Sequence, residues 1–309
     1  MRKPVLFIDT DMGLDDIIAI CMIVASNAFD ICGISVVNGV SPTRVGIRNL
    51  TRILSYLGVS IPLYLGIDQR TQRSRTQFPC TDRRRAKTLV PLATLSLPDA
   101  QPDPLPLAKL TDDLLVKKSA TILCLGPLSN IARFLISKNI RNAIQKLIIM
   151  GGSLIVPGNV PPRNVAEYNI RLDPRAADYV LRSDISTTLV PIDATRFVPA
   201  STKDPRSAET IVKIQRIKPK ARTGEIIRNI IAGNDGDFQQ FYDPLAAMVL
   251  IDPSITTGII PCSLGVVLRG QNIGKLYRTQ GHPITIVDGV NAKQFYTLLL
   301  RLVNGGEIL

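Results

Sequence analysis

Two kinds of apolar pattern alternate along this chain. Val5–Ile8, Ile31–Val37, Ala120–Leu125, Lys146–Met150 and Thr187–Ile192 are short unbroken runs, which predict strands buried on both faces. Ile17–Ala25, Val45–Tyr56, Leu128–Ser137 and Pro174–Leu181 repeat apolar residues roughly every three to four positions, which predicts helices. Strand, turn, helix, strand is the order of βαβ units around a parallel sheet. The predicted fold is therefore α/β, with a mainly parallel sheet flanked by helices. No internal repeat or low-complexity linker divides the sequence, so residues 1–309 are expected to form a single domain. The polar, proline-containing stretches Thr71–Lys87 and Pro199–Lys220 are expected to be mobile segments or insertions.

Composition agrees with a folded globular chain. Hydrophobic residues make up 45% and charged residues 20%, which supplies a core and argues against disorder. The five cysteines are scattered, with no CxxC pair, mostly within apolar runs. They are expected to be reduced core thiols in a cytoplasmic protein. No run is long and apolar enough for a membrane span, and Asp9 interrupts the first apolar run too early for a signal peptide. The formal charge of +12 is spread along the chain, with one cluster at Arg83-Arg84-Arg85. No zinc-finger or RNA-binding aromatic motif accompanies it, so it is taken as a basic surface and not as a nucleic-acid site. A sole histidine, His282, excludes a histidine-built zinc centre.

The picture changes at the first strand. "VLFIDTDMGLDD" places Asp9, Asp11, Asp15 and Asp16 directly after an apolar run, with Gly13 between the two pairs. In open α/β sheets ligands bind at the carboxyl ends of strands. Helix capping explains one of the later two aspartates. It does not explain four, because crowded carboxylates repel unless a proton or cation relieves them. A hard divalent ion with oxygen ligands is the natural solution.

Asp9–Asp16, "DTDMGLDD", resembles the amino-terminal motif of the inosine-uridine preferring nucleoside hydrolases, with Met12 where proline is usual. Further blocks follow in family order: "LGPLSNIA" at Leu125–Ala132, "MGG" at Met150–Gly152, "GNV" at Gly158–Val160, "AEYNIRLDPRAA" at Ala166–Ala177, "PIDATRF" at Pro191–Phe197 and "YDPLAA" at Tyr242–Ala247. The resemblance runs from Val5 to at least Ala247. It implies a calcium ion held by Asp11, Asp16, the Leu125 carbonyl and Asp243. It also implies that Asp11 takes a proton from a calcium-bound water attacking C1′ of a ribonucleoside, through an oxocarbenium-like transition state. Asp9, Asp15, Asn38, Asn159, Glu167 and Asn169 would hold the ribose. The implied partner is a small-molecule ribonucleoside, and relatives are commonly dimers or tetramers, although no interface signature stands out here.

Four departures from the family pattern fall within this frame. "VVGN" reads Val36-Val37-Asn38-Gly39, which displaces the asparagine by one position; along a strand such a shift reverses side-chain direction. The loop before Glu167 contains Pro161-Pro162-Arg163, a histidine–glycine segment is replaced by "FPCTDRRRAK" at Phe78–Lys87, and Tyr242 precedes Asp243 where histidine is usual. The last two lie on the leaving-group side. Tyrosine, with an unperturbed pKa near ~10, is a poorer acid at neutral pH than histidine, so Tyr242 is expected to stack or hydrogen-bond weakly at that position. The alternative is a ribosyl-binding protein of the same fold with little turnover.

Overall fold

The computed structural model describes residues 3–68, 76–234 and 238–306. Nine strands form one sheet: β1 (Val5–Thr10), β2 (Asp30–Val36), β3 (Leu63–Leu65), β4 (Leu105–Pro106), β5 (Ala120–Cys124), β6 (Ile144–Met150), β7 (Thr187–Val190), β8 (Thr256–Cys262) and β11 (Ile284–Val290). A separate antiparallel hairpin pairs β9 (Leu264–Val266) with β10 (Leu276–Arg278). The order in the large sheet is β4-β3-β2-β1-β5-β6-β7-β11-β8. Every pair is parallel except β8 against β11.

Period-2 alternation along buried strands divides the core into two apolar layers. Leu6, Ile8, Leu123, Ile148 and Met150 face one layer, together with the helices Leu14–Ser26, Arg222–Ala232, Tyr242–Ile251 and Ala292–Val303. Phe7, Ile122, Cys124, Leu147 and Ile149 face the other, with the helices Leu107–Lys117, Ser129–Phe134 and Pro174–Leu181. The predicted α/β sandwich is thus present.

From β1 the chain builds outward through β2, β3 and β4, then returns to place β5 on the other side of β1. That reversal opens a crevice at the carboxyl ends of β1 and β5, where Asp11 and Leu125 lie.

Several expectations need correction. β7 ends at Val190 instead of Ile192, because Pro191 has no N–H for the ladder and precedes a short helix, Ile192–Thr195. The predicted helix Leu128–Ser137 is shorter, Ser129–Phe134, and a second helix, Lys138–Ala143, starts beyond the predicted span with Ser137, a residue type that favours caps and turns, at its N-cap. Pro199–Lys220 is not an insertion loop. It contains the helix Ala208–Arg216, whose Ile211 and Ile214 are buried in the core. Within Thr71–Lys87, residues 71–75 lie outside the described part, but the helix Cys80–Thr88 is ordered against the core through Ala86. Among the five cysteines, Cys21 and Cys124 are buried, Cys32 and Cys262 are half-buried, Cys80 is exposed, and none is in a disulfide. No helix among the described residues is long and apolar enough to cross a membrane.

Candidate active site

The acidic turn folds as it does because its backbone donors need acceptors. Met12 adopts a left-handed conformation (φ 61°), and its N–H donates to Thr10 Oγ1 at 3.0 Å. Asp16 Oδ2 accepts from the Gly13 N–H at 2.9 Å, and its Oδ1 accepts from the Asp11 N–H at 3.2 Å and from the Thr10 hydroxyl. Asp16 therefore does cap the helix Leu14–Ser26. Asp243 does not cap its own helix, Tyr242–Ile251, where no side-chain cap bond forms; it is buried, with an oxygen within 4.8 Å of oxygens of Asp15 and Asp16.

Asp11 is held more tightly still. Its Oδ2 accepts from the Val40 N–H at 3.0 Å. A Cβ at position 39 would lie 1.9 Å from that oxygen, and one at position 126 would lie 3.0 Å from Asp11 Cβ and N. Only glycine at both positions lets the β2 and β5 loops close around this carboxylate. The exchange of Asn38 and Gly39 thus acquires a structural reason. Asn38 turns away, its Nδ2 donating to the Asp68 carbonyl at 2.9 Å, and it does not line the cavity.

A cavity of about 440 Å³ opens above this turn, a size that suits a small ligand. Asp11, Asp15, Asp16, Leu125, Asn159, Glu167, Asn169, Tyr242 and Asp243 all line it. Of the residues expected from sequence, Asp9 and Asn38 alone do not. Asp9 sits behind Asp11, where Oδ1 accepts from Asn130 Nδ2 at 2.7 Å and from the Ser35 hydroxyl; Oδ2 is buried without a protein partner.

Glu167, Asn169 and Asn159 are preset by backbone bonds. Glu167 caps the helix Tyr168–Leu172: Oε1 accepts from Asn169 N at 2.8 Å, and Oε2 from Gly152 N at 2.9 Å and Ile170 N at 3.2 Å. A carboxylate offers about four lone-pair sites, so capacity remains for a ligand hydroxyl. Asn169 Nδ2 donates to the Leu125 carbonyl at 3.1 Å and to the Met150 carbonyl at 3.3 Å, tying the ends of β5 and β6 together. Asn159 Oδ1 accepts from Tyr168 N at 3.1 Å. Asp193, in the "PIDATRF" block, takes no place in the cavity lining; it accepts from the N–H groups of Leu154, Ile155 and Val156 and so anchors the loop after β6.

The floor crowds buried carboxylates together. Burial pushes the Asp9 carboxyl up to about 7. Burial and the neighbouring Asp16 charge push Asp15 up to about 7 and hold Asp11 and Asp243 well above the usual carboxylate range. Burial raises Glu167 as well. Oxygens of Asp15, Asp16 and Asp243 lie within 4.8 Å of one another. Asp11 adjoins this group, its backbone N–H donating to Asp16 Oδ1 at 3.2 Å and its carboxylate lining the same cavity. An all-oxygen group of crowded, buried acids fits a hard divalent cation. Asp15 stands in this group beside the expected Asp16 and Asp243.

The opposite wall carries the Phe78–Lys87 segment that the family resemblance put on the leaving-group side, without its side chains being singled out there. Phe78 and Tyr168 stack at 4.4 Å with an interplanar angle of 18°. Asp82 and Arg85, three residues apart on the helix Cys80–Thr88, also line the cavity, as do Phe238 and Gln239. The spacing of Asp82 and Arg85 with buried Ala86 was the available signal, masked by the polarity of the surrounding segment. Tyr242 completes this wall, its phenol pushed above its ordinary range by burial.

Comparison with known proteins agrees with the geometry. Residues 6–297 match the family model for inosine-uridine preferring nucleoside hydrolases. The chain belongs to that family. Its reaction class is N-glycosidic hydrolysis. It is 30% identical to the pyrimidine-specific ribonucleoside hydrolase RihA of Photobacterium profundum, over 98% of this chain and 100% of that one. It is 27% identical to the non-specific ribonucleoside hydrolase RihC of Escherichia coli O1:K1, over 95% and 91%. Among solved structures, a plant nucleoside hydrolase, PpNRh1, superposes with a TM-score of 0.83 at 21% identity, covering 98% of this chain and 99% of that one. The Bacillus anthracis inosine-uridine preferring enzyme gives 0.82 at 21%, with the same coverage. These structural likenesses establish the fold.

Proposed function

We propose that this nucleoside hydrolase cleaves ribonucleosides to ribose and free base, with Asp11 as the general base and calcium as its ion. The observation that carries the reading is the placement of Asp11. Its carboxylate is buried, gripped by the Val40 N–H and by two glycines, and faces a cavity whose other polar groups suit a sugar.

Asp11 and Asp16, with Asp15, Asp243 and the Leu125 carbonyl, would hold the ion. Calcium takes six to eight oxygen ligands, and when bound it would neutralise the carboxylates and make a nearby water more acidic. Asp11, which burial and the Asp16 charge make basic, takes the proton of the water that attacks C1′. Glu167 and Asn159 present preset acceptors to the ribose hydroxyls, while Asn169 holds the Leu125 carbonyl in place. Asp9 supports the turn from behind and is a positioning residue in this reading. Phe78, Tyr168 and Tyr242 offer flat faces to the departing base.

The test is a panel of purine and pyrimidine ribonucleosides in calcium, read as free ribose. Release from at least one substrate, lost on chelation and restored by calcium, is the expected result. Binding of ribose without any turnover across the panel overturns the reading.

A further inference from the structure

The cavity has a charge imbalance that the proposed reaction does not use. Six acidic side chains line it: Asp11, Asp15, Asp16, Asp82, Glu167 and Asp243. Among the described residues, Arg85 is the one cationic side chain in the lining. Five of the acids belong to the floor or the sugar side. Asp82 and Arg85 sit on the far wall, beside the stacked Phe78 and Tyr168. Residues three apart share a helix face, so Asp82 and Arg85 lie on the same face of the helix Cys80–Thr88 and both line the cavity.

A base leaving C1′ carries away the electron pair of the C1′–N bond. It leaves as an anion unless it is protonated, on the side of the cavity whose lining holds Asp82 and Arg85. A hydrogen-bond donor aimed at developing charge in a partly desolvated site is commonly worth about 10²–10³ in rate. The histidine positions on this side are filled by other residues, Tyr242 and the Phe78–Lys87 segment. Arginine presents several N–H donors and does not need to lose a proton to act.

We propose that Arg85 is a catalytic residue that stabilises the departing base by hydrogen bonding to a ring nitrogen or carbonyl oxygen, with Asp82 orienting it. The inference rests on the nucleoside-hydrolase reading above. The balance is complete: the attacking water forms the C1′–O bond and gives its proton to Asp11, the C1′–N pair goes to the base, and the base takes its final proton from solvent water. Arg85 transfers none. An electrostatic donor of this kind serves any base with an acceptor near the scissile nitrogen, so the wall suits both purine and pyrimidine leaving groups.

The experiment compares leaving groups. Wild type, Arg85→Met and Arg85→Lys are assayed with inosine, uridine and a p-nitrophenyl riboside whose aglycone leaves without help. Circular dichroism and thermal melting establish that each variant is folded. Arg85→Met is expected to lose roughly 10²-fold in kcat on inosine and uridine, but only a few-fold on the activated riboside, and Arg85→Lys to recover part of the loss. Equal losses on all three substrates, or no loss on inosine and uridine, overturn the inference. Should wild type release ribose from none of the three, the underlying hydrolase reading fails instead, so the two failures are distinguishable.

Discussion

Replacing Gly39 by alanine adds one methyl group and acts on one residue. The three atoms nearest the new Cβ would all belong to Asp11, at 1.9, 2.6 and 2.6 Å. An ordinary carbon–oxygen contact is roughly 3.3–3.6 Å, so Asp11 Oδ2 must retreat by about 1.5 Å or the loop after β2 must withdraw. Either motion breaks the bond from the Val40 N–H, of the charge-assisted kind worth about 1.5–3 kcal/mol. A misplacement of ~1 Å in a reacting group costs on the order of 10²-fold. Gly39→Ala should therefore lower kcat for ribose release by 10²-fold or more, with an unchanged far-UV circular dichroism spectrum. The control is a double-mutant cycle with Asp11→Asn. If position 39 acts only through Asp11, the second substitution adds little to the first. Turnover by Gly39→Ala within about three-fold of wild type would falsify the argument that this carboxylate must be held here.

Further outcomes follow from the same site. Asp11→Asn should lose turnover far more than substrate affinity, because the amide still accepts hydrogen bonds but cannot take the water's proton; full ribose release by this variant removes Asp11 from the base role. In metal-free protein, Asp9 and Asp15 are pushed up to about 7 from 3.8, so the folded state holds protons that the unfolded chain has already released. Their contribution to stability is then complete below about pH 4 and is lost as pH rises through about 7. Melting of chelated protein should accordingly give a lower Tm at pH 8 than at pH 6, and calcium should raise Tm most at pH 8; no calcium response at millimolar ion contradicts the metal assignment. Tyr242→Phe should cost less with inosine or uridine than the roughly 10²–10⁴ expected of a true general acid; a larger loss confined to the natural nucleosides shows that the phenol donates a proton.

What the sequence made legible tracks how local each signal is. The strands that carry the site were readable as apolar runs because they are buried on both faces. The acidic turn was readable because carboxylates crowded beside a core strand repel one another until a cation or proton relieves them. Asp193 and Asn130 were not readable as supports, since their partners lie 37–39 and 121 residues away. The displacement of Asn38 could be seen, but its outcome could not: it depends on Gly39 meeting Asp11 across two loops. The distal strand β8 escaped notice because it is an edge strand with alternating exposure. The segment Phe78–Arg85 was placed on the leaving-group side yet expected to be mobile or an insertion, because its polar residues face a cavity and not bulk solvent alone.

The two halves of the cavity are attached to the fold in different ways, and this bears on how their chemistry can vary. The floor is continuous with β1 and β5 at the centre of the sheet, and its turn has no slack: Thr10, Asp11, Gly13 and Asp16 satisfy one another's backbone groups, with Gly39 and Gly126 packed against Asp11. A change there disturbs buried charge and hydrogen bonds together, which is among the costlier perturbations a fold can suffer. The wall is a helix of nine residues, Cys80–Thr88. It is held by Ala86 in the core and by Asn49 Nδ2, which donates to the Ala86 and Lys87 carbonyls at 2.9 and 3.1 Å. Those anchors engage one small side chain and two backbone oxygens, and neither the Asp82 nor the Arg85 side chain takes part in them. Asp82 and Arg85 are half-buried, so exchanging them costs more than a surface change, but it leaves these backbone anchors in place. Leaving-group chemistry can therefore change on this wall while the carboxylates beneath it stay fixed.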